Sequence, residues 1–222
     1  MQLIKVPSSE PAITALSERL ITELTAGHRV LWLVPGGSGI TTIVKIMETI
    51  PTPLSNLLTI TLSDERYGEP GHDDSNWQQL TAAGFEGKQA TLLPVLISGA
   101  TLEEVTAEFE SLLAQAFSTN DIIIAQLGMG SDGHVSGILP GSPATTASGL
   151  AAGYVTEQFS RVTTTFHALE QANAAFVLAF GAEKLEALNN LLQDIPLADQ
   201  PAQVLKHLPE AYVYNDQLGE AL

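Results

Sequence analysis

The chain has 222 residues, 45% of them hydrophobic and 15% charged, a balance that fits one folded globular domain and excludes a disordered chain. Nine Lys+Arg against 25 Asp+Glu leave a net charge of −16, a surface that repels nucleic-acid backbones and anionic lipid. Cysteine is absent, which excludes a disulfide framework, a cysteine nucleophile and thiolate metal sites. No run approaches the ~18 apolar residues of a membrane span, and the opening MQLIKVPSSEP lacks the apolar core of a signal peptide. The expectation is a cytoplasmic protein, a single domain over residues 1–222, with no nucleic-acid or membrane partner. Nothing in the pattern fixes an oligomeric state.

In chain order, Ser8 to Ala26 places Ile13, Leu16, Leu20, Ile21 and Leu24 at helical spacing, with Gly27 where a C′ residue belongs. Val30 to Val34 is a short apolar run of the kind a buried strand uses. It breaks at Pro35-Gly36-Gly37-Ser38-Gly39, and Ile40 to Ile50 then reads as a helix stopped by Pro51. Leu57 to Leu62 is a second buried strand, leading into the polar stretch Ser63-Asp64-Glu65-Arg66. Ser75 is placed to cap a following helix, and Thr101 with Glu104 predicts a capping box for a helix ending near Phe117. Asp121 to Leu127 predicts a third strand, broken by Gly128-Met129-Gly130-Ser131-Asp132-Gly133-His134. Further strands are expected around Arg161 to Thr165 and over Ala174 to Phe180, after which Gly181 opens a helix carrying Lys184, Leu185 and Leu188.

Apolar strands alternating with helices predict an α/β fold: a three-layer, Rossmann-like, mostly parallel sheet with helices on both faces. In such sheets ligands bind beyond the carboxyl ends of the strands, where the glycine-rich and polar segments of this chain recur. Gly36, Gly37 and Ser38 lie between a strand and a helix, where backbone N–H groups can cradle an anion. The loop is neither a Walker loop nor a dinucleotide fingerprint. Of the four arginines, Arg66 and Arg161 fall at candidate site edges, and a guanidinium suits bidentate contact with phosphate or carboxylate. His134 can accept and return a proton near neutral pH, and Asp132, Asp64 or Glu65 could orient it. No metal-ligand spacing and no Gly-x-Ser-x-Gly elbow is present.

Taken together, Pro-Gly-Gly-Ser-Gly at 35–39, Ser-Asp-Glu-Arg at 63–66, Asp74-Ser75-Asn76-Trp77, Gly-Met-Gly-Ser-Asp-Gly-His at 128–134 with Leu139-Pro140-Gly141, Arg-Val-Thr-Thr-Thr at 161–165 and Gly-Ala-Glu-Lys at 181–184 resemble the 6-phosphogluconolactonase family, relatives of glucosamine-6-phosphate deaminase/isomerase. The resemblance implies hydrolysis of a phosphorylated sugar lactone, 6-phosphogluconolactone, to 6-phosphogluconate in the oxidative pentose-phosphate route, with no metal and no cofactor. It implies that Gly36, Gly37, Ser38, Arg161 and Lys184 hold the 6-phosphate. His134 would be the catalytic base, Arg66 would face the sugar, and Asp132 and Asp64 would complete the catalytic set. The family's usual Thr-Ala-Ser after the histidine is replaced here by Val135-Ser136-Gly137. Deaminase relatives carry an acidic residue where this chain has Leu139, and an aromatic residue where it has Arg66. An isomerase needs groups to shuttle protons between C1, C2 and the ring oxygen, so the missing carboxylate favours the simpler hydrolysis. The alternatives are a sugar-phosphate deaminase or isomerase, and a non-catalytic sugar-phosphate sensor.

Overall fold

The run Val30–Val34 forms strand β2, and all five of its residues are buried. Successive strand residues point to opposite faces, so a strand buried at every position is covered on both sides. In β6 (Ile122–Gly128) and β9 (Ala174–Ala179), too, buried residues follow one another rather than alternate. These strands are the middle of a sheet completed by β1 (Gln2–Lys5), β3 (Leu58–Leu62), β5 (Thr91–Leu93), β10 (Glu210–Asn215) and β11 (Glu220–Ala221). The computed structural model describes residues 1–221. Its eight-stranded sheet is parallel throughout, in the order β11-β1-β10-β9-β6-β2-β3-β5, which is the expected α/β architecture.

The helices begin and end for local reasons. α1 (Glu10–Thr25) closes in a Schellman turn: Gly27 takes φ +87°, the His28 N–H donates to Glu23 O at 3.1 Å and the Gly27 N–H to Leu24 O at 3.1 Å. α2 (Ile40–Thr49) ends against Lys88, whose ammonium donates to the carbonyls of Met47, Glu48 and Ile50 at 2.6, 3.1 and 2.5 Å. A cation is favoured there because the last carbonyls of a helix carry its negative end. α3 (Asn76–Ala82) is capped by Ser75, and α4 (Leu102–Thr119) carries the expected Thr101–Glu104 capping box. Two shorter helices follow, α5 (Phe166–Leu169) and α6 (Leu185–Leu191).

Two expectations need correction. Asp64–Arg66 is not a loose polar stretch but a strand, β4, and Ser160–Thr164, β8, lies outside the main sheet. With β7 (Ala151–Val155) they form a separate antiparallel sheet in the order β4-β8-β7, against which α4 packs. The chain changes sheets at Ser63, whose N–H still donates to Val34 O of the main sheet at 2.8 Å while its carbonyl accepts from the Thr164 N–H at 2.8 Å. This hand-over brings the second sheet to the carboxyl ends of β2, β3 and β6.

Candidate functional site

After β2 the chain turns through Pro35-Gly36-Gly37 into one turn of 3-10 helix, Gly37–Gly39, that runs into α2. Gly37 sits at φ +57°, a backbone region that side chains disfavour. At Gly36 a Cβ would lie 2.1 Å from the amide of Asn76, so only hydrogen fits. No side chain caps this turn, which leaves its N–H donors unmasked by a capping group. From below, Thr42 Oγ1 donates to Gly39 O at 2.6 Å, and the buried Gln126 donates through Nε2 to Thr42 Oγ1 at 2.6 Å.

The segment after β6 folds back on itself, the Gly130 N–H donating to His134 O at 2.9 Å and the Gly133 N–H to Gly130 O at 3.1 Å. The turn sets Asp132 beside the imidazole: Oδ1 accepts from the His134 N–H at 3.1 Å and lies 2.6 Å from Nδ1. The hydrogen bond with the His134 ring lowers the Asp132 carboxyl to a pKa of about 2. An ionised carboxylate only accepts, so the Nδ1 proton is held there and Nε2 is left as the ring's other functional nitrogen. Gly130 makes the pair possible, since a Cβ there would sit 2.1 Å from His134 Nδ1 and 2.3 Å from Asp132 Oδ1. Beyond it Ser136 adopts φ +52°, and the Gly137 N–H donates to Thr163 Oγ1 of β8 at 2.9 Å while Tyr154 of β7 donates to Gly137 O. The second sheet thus fixes the far end of the histidine loop.

That sheet also supplies the cations. In the β4–β8 register, Arg66 is the direct partner of Arg161, and Asp64 of Thr163. Asp64 Oδ2 lies 3.5 Å from Arg161 Nη1. Burial pushes the Asp64 carboxyl up, while the charges of Arg161, His134 and Arg66 act in the opposite direction. Arg66 donates through Nη1 to Asp74 O at 3.0 Å. Glu65, one of the carboxylates weighed as an orienting group for His134, has another occupation. Its Oε1 accepts from the N–H groups of Arg66 at 2.7 Å and Asn76 at 2.6 Å, and its Oε2 from Ser75 Oγ at 2.9 Å and the Trp77 N–H at 3.0 Å. It is fully buried and pins the start of α3.

A cleft of ≈ 700 Å³ opens between these parts. Gly36, Gly37, Ser38, Asp64, Arg66, His134, Arg161 and Lys184 all line it, and Asp132 supports the imidazole from the same turn. Ser8, Asn76, Gln126, Ser136 and Asp216 line it as well. Sequence reasoning did not reach these five as site residues. Asp74-Ser75-Asn76 stood out as a motif, and the left-handed backbone at Ser136 has no sequence signal at all. Lys184 has no ion-pair partner among the described residues, and Asp216 accepts from the Gly181 N–H at 3.0 Å at the turn that leads to it. One wall therefore carries an oriented imidazole, and the rim carries three cations, Arg66, Arg161 and Lys184, and a glycine turn. Such a cleft suits a small molecule bearing an anionic group.

Known proteins share this chain's sequence pattern and fold. Residues 7–213 match the family described as glucosamine-6-phosphate isomerases/6-phosphogluconolactonase. A 6-phosphogluconolactonase of Xylella fastidiosa is 30% identical over 212 residues, covering 88% of this chain and 85% of its own. A glucosamine-6-phosphate deaminase of Streptococcus thermophilus is 26% identical over 92% of each chain. The crystal structure of a 6-phosphogluconolactonase from Thermotoga maritima superposes with a TM-score of 0.80 over 96% of this chain and 98% of that one, at 22% identity. The chain belongs to the glucosamine-6-phosphate isomerase/6-phosphogluconolactonase family.

Proposed function

We propose that the protein is a 6-phosphogluconolactonase, opening 6-phospho-D-glucono-1,5-lactone to 6-phosphogluconate with His134 as general base. The observation that supports the reading is the Asp132–His134 pair, at 2.6 Å, in one cleft with Arg161 and Lys184. The lactone carbonyl is already electrophilic, so catalysis consists mainly of delivering water and managing charge. Nε2 of neutral His134 takes a proton from water as its oxygen adds to C1, a role worth ~10²–10⁴ in rate. Asp132 stabilises the imidazolium that forms. The resulting oxyanion is stabilised by fixed donors, for which the backbone N–H groups of a glycine-rich loop are the candidates. When the tetrahedral centre collapses, the C1–ring oxygen bond breaks and protonated His134 returns its proton to the leaving oxygen. The clamp of Gly36, Gly37, Ser38, Arg161 and Lys184 on the 6-phosphate keeps C1 beside the imidazole.

Leu139 and Arg66 favour the lactonase over the deaminase, because deamination with isomerisation asks for a further proton-carrying group. The test is turnover of freshly made 6-phosphogluconolactone, with spontaneous opening subtracted. The reading expects acceleration in wild type and its loss in His134→Ala with substrate binding retained. Ammonia release from glucosamine-6-phosphate without lactone turnover would favour the deaminase instead.

A further inference from the structure

Phe159 ends the turn that joins β7 to β8, and the turn holds it by its backbone. The Thr156 N–H and Oγ1 donate to Phe159 O at 3.0 and 2.7 Å, and the Phe159 N–H donates back to Thr156 Oγ1 at 3.0 Å. Its half-buried ring is not among the side chains that make up the apolar core or pack against it. Instead two guanidinium groups lie over it, Arg66 Cζ at 4.7 Å and Arg161 Cζ at 5.6 Å from its centroid. Arg66 is also tied through Nη1 to Asp74 O, and Arg161 Nη1 lies 3.5 Å from Asp64, but among the described residues the buried Nε of each arginine has no hydrogen-bond partner.

Two like charges set opposite each other in register repel. An aromatic face, with its negative quadrupole, attracts both and is rigid enough to set their spacing. We propose that Phe159 is a positioning residue that holds Arg66 and Arg161 side by side as one fork for a tetrahedral oxyanion, which adds Arg66 to the phosphate clamp. The proposal rests on the sugar-phosphate reading only for the identity of the ligand; the fork itself grips the phosphate group. Without the ring the two heads separate and must be ordered again when the anion arrives, which weakens binding and leaves the Asp132–His134 pair untouched.

The experiment is calorimetric titration of the full chain with inorganic phosphate, together with lactone kinetics, in wild type, Phe159→Leu and Phe159→Tyr. Leucine keeps apolar bulk without a π face, and tyrosine keeps the face. In Phe159→Leu, phosphate affinity should weaken and KM rise by about two- to thirtyfold, the range from an exposed to a desolvated cation–π contact. The kcat should stay within about twofold, and Phe159→Tyr should restore both constants. Unchanged phosphate affinity in Phe159→Leu, a Phe159→Tyr as weak as the leucine variant, or a loss confined to kcat would each overturn the fork. A wild-type chain that turns over no lactone would overturn the lactonase reading alone, and the phosphate titration would then decide the fork by itself.

Discussion

Gly130 shows how one missing atom can decide a site. Any Cβ there would occupy the space of the His134 ring and the Asp132 carboxylate. Gly130→Ala should therefore lower kcat far more than it raises KM, measured in the lactone assay, because the phosphate clamp lies elsewhere. Asp132 makes a prediction about pH. Its folded pKa of about 2 lies below the usual carboxylate value near ~3.9, so the stability it contributes is complete above about pH 4 and is lost as the pH falls towards 2. The stability difference between wild type and Asp132→Asn should shrink over that window in acid titrations followed by circular dichroism. It should be small, since the carboxylate is about half exposed. Asp64 runs the other way. Burial outweighs its cationic neighbours and raises its pKa, so ionising Asp64 in the folded protein costs stability. Asp64→Asn should raise the melting temperature at neutral pH while impairing turnover, the opposed signs expected of a site held against stability. As residues lining the cleft, His134 and the two arginines were legible in the sequence because their residue types are scarce and carry chemistry. The choice among Asp132, Asp64 and Glu65 was not, because it depends on where each carboxylate finds donors.

At the scale of the element, α3 depends on a carboxylate outside itself. Glu65 accepts four hydrogen bonds from the strand and the first turn of this short helix. Glu65→Ala leaves those donors buried without acceptors and should destabilise the protein by about 3 kcal/mol, measured by urea unfolding. Asn76 would be released with the helix, and Gly36 would lose the amide it packs against. The central strands and the ends of α1, α2 and α4 were legible because their signals are local: continuous apolar runs, a glycine at C′, a Thr-x-x-Glu box. The second sheet was not. Asp64-Glu65-Arg66 has the composition of a solvated loop, and its strand character comes from pairing with residues almost a hundred positions later. β1 and β7 carry exposed or alternating positions rather than the continuous apolar runs of the central strands.

Across the whole molecule the cleft joins distant stretches of chain, among them the segment before α1, the glycine turn, the second sheet, the histidine turn and the turn before α6. A ligand that bridges them should stabilise the entire fold. At about one hundred times its Kd, 6-phosphogluconate should add roughly 2.7 kcal/mol, a rise in Tm of about 5–10 °C for a chain of this length. Thermal melts of Arg161→Ala and Lys184→Ala should lose most of that rise. The strand order carries a further consequence for how the protein is made. Among the described residues β1 pairs only with β10 and β11, so it leaves the ribosome some two hundred residues before either partner. Until those strands emerge the β1 segment waits without a partner, and Ser8 cannot take its place beside the glycine turn until some two hundred residues have followed it. A nascent chain stalled before β10 would hold the histidine turn and both arginines yet lack a finished binding cleft, so anion affinity should arise only once β10 has been made.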